Sequence, residues 1–453
     1  MNYLLFKIKI IQTASIFLLV FSSVTMGRIQ LLTRDSTVNL GISSAGWLES
    51  GQIIKGYILD GRPIDHQWLQ KSCLNLVIDA KLSERIQIAA GVEGAMFLNA
   101  PKGGASSQQY YIWRLNSIFI VDRAYGSYSW GDPAYPLLSV TAGRYPYKYN
   151  QEARNLGEYL FRSGTYPAYL INNFDLPFAR LTGLKLSSNL FYKLHQDLML
   201  TFETEIPPYY DASLSYIADY TIGKFLNIGA GVEFAHLISV DERQTTPKNT
   251  RTLYDSTPSY YTFRGTKIMA RLSFDPKPFI PFNAFGREDL KIFAEAAVLG
   301  LEEYPANDSL NSFTSTKNNI WGYDTLKNKI PVVFGMNIPA FKILDVLSAE
   351  FEWYGCPYPN NYATELGKGN LPSLPLPDFF GRSDRGYVVD DNWKWSFYAK
   401  KMFAHDRLGV ILQIARDHMR IESLLDEAKY YNLEESLGLK DHWWWSSKIY
   451  WAF

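Results

Sequence analysis

The segment from Asn75 to Glu93, which reads NLVIDAKLSERIQIAAGVE, alternates apolar and polar residues on both sides of a short break. In its first half one face carries Leu76, Ile78, Ala80 and Leu82. After Ser83-Glu84 the alternation resumes, and one face carries Ile86, Ile88, Ala90 and Val92. Successive side chains of a strand point to opposite faces, so the pattern predicts two strands joined by a tight turn, a β-hairpin.

The same alternation recurs along the chain, for example at 198–205, 226–234, 290–296 and 347–353. Its apolar faces approach the roughly 9–11 residues that a tilted strand needs to cross a bilayer. The connections are alternately short and long. Short ones lie near Ser83, Gly223 to Phe225, Pro339 to Leu344 and Ala404 to Arg407; long ones lie near 241–259, 301–328, 357–390 and 422–441. Bacterial outer-membrane barrels have short periplasmic turns and long external loops in this order.

These observations predict an all-β protein, a transmembrane antiparallel β-barrel of about 16 strands (range 14–18) with both termini in the periplasm. The predicted strands are 36–48, 72–82, 86–98, 115–129, 137–147, 177–187, 197–207, 212–221, 226–240, 260–275, 289–300, 329–338, 345–356, 391–402, 408–420 and 442–453. A large soluble β-sandwich or propeller also alternates. The length of the apolar faces and the alternation of short and long connections favour the barrel.

The first 27 residues are typical of a secretory signal peptide. Lys7 and Lys9 precede a mostly apolar, uncharged stretch from Ile10 to Val24, and small residues lead to a cleavage point after Gly27. The alternative is an uncleaved membrane anchor, for which the apolar stretch is short. We therefore predict a signal peptide at 1–27 and a single barrel domain at 28–453.

The composition agrees with a membrane protein that carries little net charge. Aromatic residues make up 15% of the chain, and rings with a polar edge suit the boundary between lipid and water. The chain has 45 Lys+Arg and 45 Asp+Glu, which gives no basic footprint for nucleic acid. After Gly27 we find no second uncharged run long enough for a membrane helix, so a spanning chain must close as a barrel.

The chain ends in the sequence WWWSSKIYWAF, from Trp443 to Phe453. Trp451, Ile449, Trp445 and Trp443 share one face, and the last residue is aromatic. This segment resembles the C-terminal assembly signal of Gram-negative outer-membrane β-barrels, and the rest of the chain is porin-like in architecture without pointing to a closer family. The resemblance implies recognition of Trp451 and Phe453 by the barrel-insertion machinery.

We find no set of residues to nominate for catalysis. None of the six histidines pairs with another at metal-ligand spacing, so we expect no metal, no cofactor and no enzyme. Asp417 with His418 is the nearest candidate, and a solvated loop base is the preferred interpretation. Cys73 and Cys356 are both predicted at the external ends of strands, where either a disulfide or two free thiols would fit.

The predicted topology turns several charged side chains toward the lumen. A barrel of about 16 strands is wide enough for an aqueous channel, and charges of both signs on its wall would set ion preference. Alternatively, these charges pair with one another and with a plug. The candidate pore-lining residues are Glu93, Glu203, Glu205, Glu233, Lys267, Arg271, Glu350, Glu352 and Lys394.

The third external loop, from Lys148 to Asn173, has the position at which general porins, in the resemblance above, fold a loop into the barrel. Leu156, Leu160 and Phe161 would pack on the wall as an apolar stripe. The charges that would face the remaining opening are Glu152, Arg154, Glu158 and Arg162. An external cap with a solvated face is the alternative.

The sequence therefore predicts a porin-like channel for passive diffusion of small hydrophilic solutes or ions in the outer membrane of a Gram-negative-type bacterium. The alternative is a barrel whose external loops bind a polysaccharide or a partner protein, with little transport. Expected partners are outer-membrane lipid, the insertion machinery and the solutes, without nucleic acid; a homo-oligomer is left open.

Overall fold

The structure is a computed structural model of the chain. It describes residues 29–32, 37–58, 62–99, 116–132, 135–162, 179–191, 193–202, 204, 210–238, 249–251, 259–261, 265–299, 301, 330–353, 393–419, 437 and 439–452.

Sixteen antiparallel strands form the wall of a β-barrel. They are β1 (Thr37–Lys55), β2 (Gln67–Lys81), β3 (Ile86–Asn99), β4 (Asn116–Asp132), β5 (Tyr135–Tyr147), β6 (Ala179–Phe191), β7 (Leu194–Phe202), β8 (Ala212–Ile222), β9 (Leu226–Ile238), β10 (Gly265–Phe274), β11 (Ile292–Val298), β12 (Val332–Asn337), β13 (Val346–Trp353), β14 (Trp393–Phe403), β15 (Leu408–Arg416) and β16 (Trp443–Ala452).

The last strand closes the barrel by pairing with the first. Lys448 on β16 lies opposite Glu49 on β1 and opposite Ile411 on β15. Each of the other strands pairs with its neighbours in chain order, so the sheet has no open side. A short strand, Ile29–Leu32, adds to the beginning of β1.

The connections between strands distinguish the two ends of the barrel, called the turn end and the loop end here. The turn end carries the connections after the even-numbered strands, such as 82–85, 223–225 and 404–407. The loop end carries the connections after the odd-numbered strands, and most of their residues lie outside the described ranges. No helix in the described ranges is long and apolar enough to cross a bilayer.

The two faces of the wall differ as the alternation predicts. Val92, Ile228 and Leu412 are 46%, 42% and 50% exposed on the outer face. Their strand neighbours Glu93 and Gln413 are buried on the inner face. A closed wall that is apolar outside and polar inside suits a bilayer, because every backbone group in it has a partner.

The predicted fold class and the count of sixteen strands are confirmed, with shifts at the strand ends. The largest shift concerns β1 and β2, whose ladder continues to Ile53 and Gln67. The polar run around Glu49 does not end β1, since Glu49 turns inward, where a charge is tolerated. The predicted position of Cys73 at a strand end was therefore wrong. It lies well inside β2, with its side chain buried.

Candidate functional site in the barrel interior

The connection from β5 to β6, called loop 3 here, turns into the barrel. Its described part is Lys148 to Arg162, and it ends in a short helix, α1 (Tyr159–Arg162). The side chains of Leu156, Leu160 and Phe161 are 0% exposed in a cluster with wall residues. The apolar stripe recognised in the sequence therefore packs against the inner wall.

Two glycines with positive φ angles lie on the two strands that flank loop 3. Gly143 on β5 lies opposite Gly183 on β6, and their φ angles are +121° and +156°. A Cβ at these positions would lie 2.1 Å and 2.0 Å from backbone carbonyl oxygens. The β4–β5 ladder ends with the pair Ala124 and Arg144, so β5 continues beside β6 and carries loop 3 inward.

Glu350 on β13 holds the first half of loop 3. Its carboxylate accepts the backbone N–H groups of Arg154 at 2.5 Å, Asn155 at 2.9 Å and Leu156 at 2.8 Å. The side chain is 1% exposed, so these hydrogen bonds form away from bulk water. Three converging N–H donors fix the loop backbone and stabilise the buried carboxylate.

Glu295 on β11 holds the second half in the same way. It accepts the backbone N–H groups of Glu158 at 3.1 Å and Tyr159 at 2.9 Å. The Tyr149 hydroxyl and the Asn150 amide also donate to it, at 2.6 and 2.8 Å. Glu295 was absent from the sequence-based candidates, although it lies on the polar face of an alternating stretch, which is the signal that could have identified it.

Glu352, two residues from Glu350, contacts both α1 and the chain segment that follows β15. It accepts the Tyr159 hydroxyl at 2.6 Å and contacts His418 Nε2 at 2.5 Å. Asp417 accepts from Asn155 at 2.7 Å and from the Trp444 indole at 3.0 Å. Asp417 and His418 are 7% and 3% exposed, so the interpretation of a solvated loop base was wrong. Asp417 binds loop 3 directly, whereas His418 contacts Glu352, which in turn accepts from Tyr159 of loop 3.

The four candidate charges of loop 3 have different surroundings. Glu158 is 0% exposed and accepts the N–H groups of Tyr149 and Asn150, so it does not face an opening as the sequence predicted. Its φ of +64° places it in a tight bend, which turns the carboxylate back onto the loop. Glu152 and Arg154 are 13% and 20% exposed at the side chain. Arg162 ends α1, and its side chain lies outside the described residues.

Several candidate pore-lining charges are paired on the inner wall. Lys267 lies 3.1 Å from Glu233 and donates to the Leu160 carbonyl at 2.8 Å. Arg271 reaches Asp219 across Gly229, where a Cβ would lie 2.3 Å from the Asp219 carboxylate.

Three further candidates are Lys394, Glu203 and Glu205. Lys394 is 1% exposed and donates to the Leu437 carbonyl at 3.4 Å. Glu203 and Glu205 lie outside the described residues, so their pore-lining role stays a prediction.

Another cluster lies on the inner wall near β3 and β4. Arg180 on β6 contacts Glu93 at 2.8 Å and Asp122 at 3.0 Å. Arg123 also contacts Asp122, at 2.8 Å. The sequence identified Glu93 but not Asp122, because Asp122 is the extra residue of a β-bulge, which breaks the alternation on β4.

The side chain of Cys73 is 2% exposed on the inner face of β2 and forms no disulfide with another described residue. Cys356 lies outside the described residues, so their pairing stays a prediction. Within the described ranges no group of three or more His, Cys, Asp or Glu side chains is placed to hold a metal ion.

No protein-family model matches the chain, and no curated protein matches it. Solved structures do resemble it, among them variants of the porin of Rhodopseudomonas blastica. Two of these are 9% identical over 91% of this chain and 100% of that chain, with a TM-score of 0.42. A likeness of this size does not extend to function, and the strand register of this chain carries the fold assignment.

Sixteen closed antiparallel strands, an apolar outer face and a loop packed against the inner wall define a porin-like outer-membrane β-barrel. The site that distinguishes its interior is loop 3 together with the wall carboxylates that bind it.

Proposed function

We propose that the protein is an outer-membrane channel for passive diffusion of small hydrophilic solutes or ions, with loop 3 as its constriction. The observation that carries this proposal is the attachment of loop 3 to the inner wall by Glu295 and Glu350. A loop fixed to the inner wall narrows a barrel of this size. Charges near a narrow opening then act strongly on a passing ion.

The polarity of the inner wall supports a hydrophilic path. Away from loop 3 the inner faces of β14 to β16 and β1 to β3 carry buried polar side chains, including Ser396, Gln413, Ser446, Glu49 and Lys71. A buried apolar cluster around Ile53, Leu69 and Trp444 occupies the part of these strands nearest the loop end. Water and ions are more compatible with such a lining than an apolar ligand is. The same lining gives no reason to expect catalysis, and we propose a channel rather than an enzyme.

We further propose that the turn end faces the periplasm and that residues 1–27 direct export. In this arrangement β16 is the strand that the insertion machinery recognises. Trp451 lies over Gly46 on the outer face, where a Cβ would come within 2.6 Å of its ring. Phe453 lies outside the described residues, and its role as the terminal recognition residue stays a prediction.

Conductance of the purified full-length protein in a planar lipid bilayer tests the proposed function. We expect discrete open steps in the nanosiemens range and a reversal potential that depends on a KCl gradient. Protein unfolded by heat before addition serves as the control. Folded protein that inserts but never conducts would contradict the channel and favour a barrel whose long loops bind a partner.

A further inference from the structure

The connection between β10 and β11, residues 275–291, is long for the turn end and has a defined structure. It contains a 3₁₀ turn, Lys277–Phe279. Phe282 and Phe285 pack with Phe341 of the neighbouring 338–345 turn, with ring centroids 4.9 to 6.2 Å apart. We refer to residues 275–291 as the long turn.

Asp289 fixes the inner end of the long turn. Its side chain accepts the backbone N–H groups of Gly286 at 2.8 Å, Ala340 at 3.1 Å and Phe341 at 3.0 Å. Lys277 donates to the Asp289 carbonyl at 2.6 Å. Asp289 is 1% exposed, so these bonds hold the residues beside it in a fixed position.

Two charged residues beside Asp289 meet loop 3. Glu288 contacts Arg154 at 3.1 Å, and Lys291 contacts Glu152 at 3.1 Å. Lys291 also contacts Glu288, at 2.9 Å. The four side chains, called the quartet here, are 13–20% exposed and contain two acids and two bases.

The contacts within the quartet favour its charged form. Burial by itself would raise the pKa of Glu288, but Lys291 and Arg154 more than offset it and the pKa is lowered. Burial would lower the pKa of Lys291, but Glu152 and Glu288 outweigh it and the pKa is raised. Glu288 and Lys291 are therefore ionised near neutral pH, and the formal charges of the two acids and two bases in the quartet cancel.

We propose that Glu288 and Lys291 determine ion selectivity together with Glu152 and Arg154, so that the long turn supplies half of the charged surface of the constriction. This inference rests on the proposed channel function. Removing one member leaves a single uncompensated charge, in partly exposed surroundings where water screens it incompletely. The sign of that charge sets the direction of the selectivity change.

Reversal potentials of two single variants test the inference. Glu288→Gln leaves Arg154 in excess and should raise the permeability of chloride relative to potassium by about two-fold. Lys291→Gln leaves the acids in excess and should change the ratio in the opposite direction by a similar factor. The double variant is again balanced and should return close to the wild-type value.

Matched controls come from the same long turn. Arg287→Gln removes the same charge as Lys291→Gln from a side chain that is 96% exposed, so its 3.6 Å contact with Glu288 is screened by water. Asp275→Asn removes an acid that is paired with Lys277 and lies outside the quartet. Both should leave the reversal potential unchanged. Heat-modifiable migration on gels reports whether each variant is folded. The reversal potentials of Glu288→Gln and Lys291→Gln are expected to shift in opposite directions, so each variant is an independent test.

The outcomes separate the two proposals. A wild-type protein that does not conduct overturns the channel function, and this inference with it. A conducting wild type overturns the inference alone if folded Glu288→Gln and Lys291→Gln keep its reversal potential, or if the exposed control Arg287→Gln shifts it as much as Lys291→Gln does.

Discussion

Two parts of the inner wall carry buried carboxylates and compensate them differently. On β11 and β13, Glu295 and Glu350 accept hydrogen bonds from the backbone of loop 3. On β3 and β4, about half a circuit away in the order of strands, Glu93 and Asp122 contact the guanidinium of Arg180. The first arrangement fixes the path of the chain, whereas the second fixes only side chains.

The difference shows that a charged residue on the inner face need not be a pore-lining charge. Glu93 has the same sequence signature as Glu295 and Glu350, an acid among apolar neighbours at alternating positions. A carboxylate surrounded by loop N–H groups acts as part of the packing, because removing it leaves several buried donors without partners. A carboxylate paired with arginine contributes to the field of the lumen, and its loss changes the local charge.

The largest effect is expected from Glu350→Ala. Arg154, Asn155 and Leu156 lose their common acceptor, and each unsatisfied buried donor costs about 1–3 kcal/mol. We expect loop 3 to leave the wall, the conductance to rise, and the free energy of unfolding in urea to fall by about 3 kcal/mol or more. Glu350→Gln keeps one carbonyl acceptor, so its free energy of unfolding should lie between that of the wild type and that of Glu350→Ala. Wild-type conductance in the alanine variant would show that other contacts hold the loop.

A smaller effect on the same side is expected from Gly157→Ala. Gly157 has a φ of +91°, and a Cβ would lie 3.2 Å from both Glu295 Oε2 and Val333 Cγ1. The left-handed backbone conformation costs a residue with a side chain about 1–2 kcal/mol, and we expect a loss of that size in the free energy of unfolding. Gly126→Ala is the control, because a Cβ there meets nothing within 4 Å. Equal stability of the two variants would contradict the tight contact with Glu295.

The smallest effect on stability is expected on the opposite side, from Glu93→Gln. Arg180 keeps Asp122, and the amide can still accept a hydrogen bond, so the free energy of unfolding should change by only about 1 kcal/mol. The lost negative charge should shift the reversal potential toward anions. Glu84→Gln, at the exposed turn after β2, is the control and should shift nothing. A stability loss as large as that of Glu350→Ala would remove the distinction between the two sides.

The prediction of the barrel from sequence succeeded because its signal is local. Each strand repeats the contrast between lipid and interior with a period of two residues, so alternation identifies the strands and their inner faces. The extra residue at Asp122 and the positive φ angles of Gly143 and Gly183 interrupt that period. Asp122 and the inward course of β5 were therefore not predicted from the alternation.

The sequence by itself determined the fold class, the approximate number of strands, and the apolar stripe of Leu156, Leu160 and Phe161. Only the tertiary structure decided which acids hold loop 3, that Glu158 turns back onto the loop, and that Glu288 meets Arg154. These contacts join residues far apart in the chain; Arg154 and Glu350 are separated by 196 positions. Local alternation places each residue on a face of its own strand, but the partner across the lumen depends on closure of the barrel and on where the loop enters it.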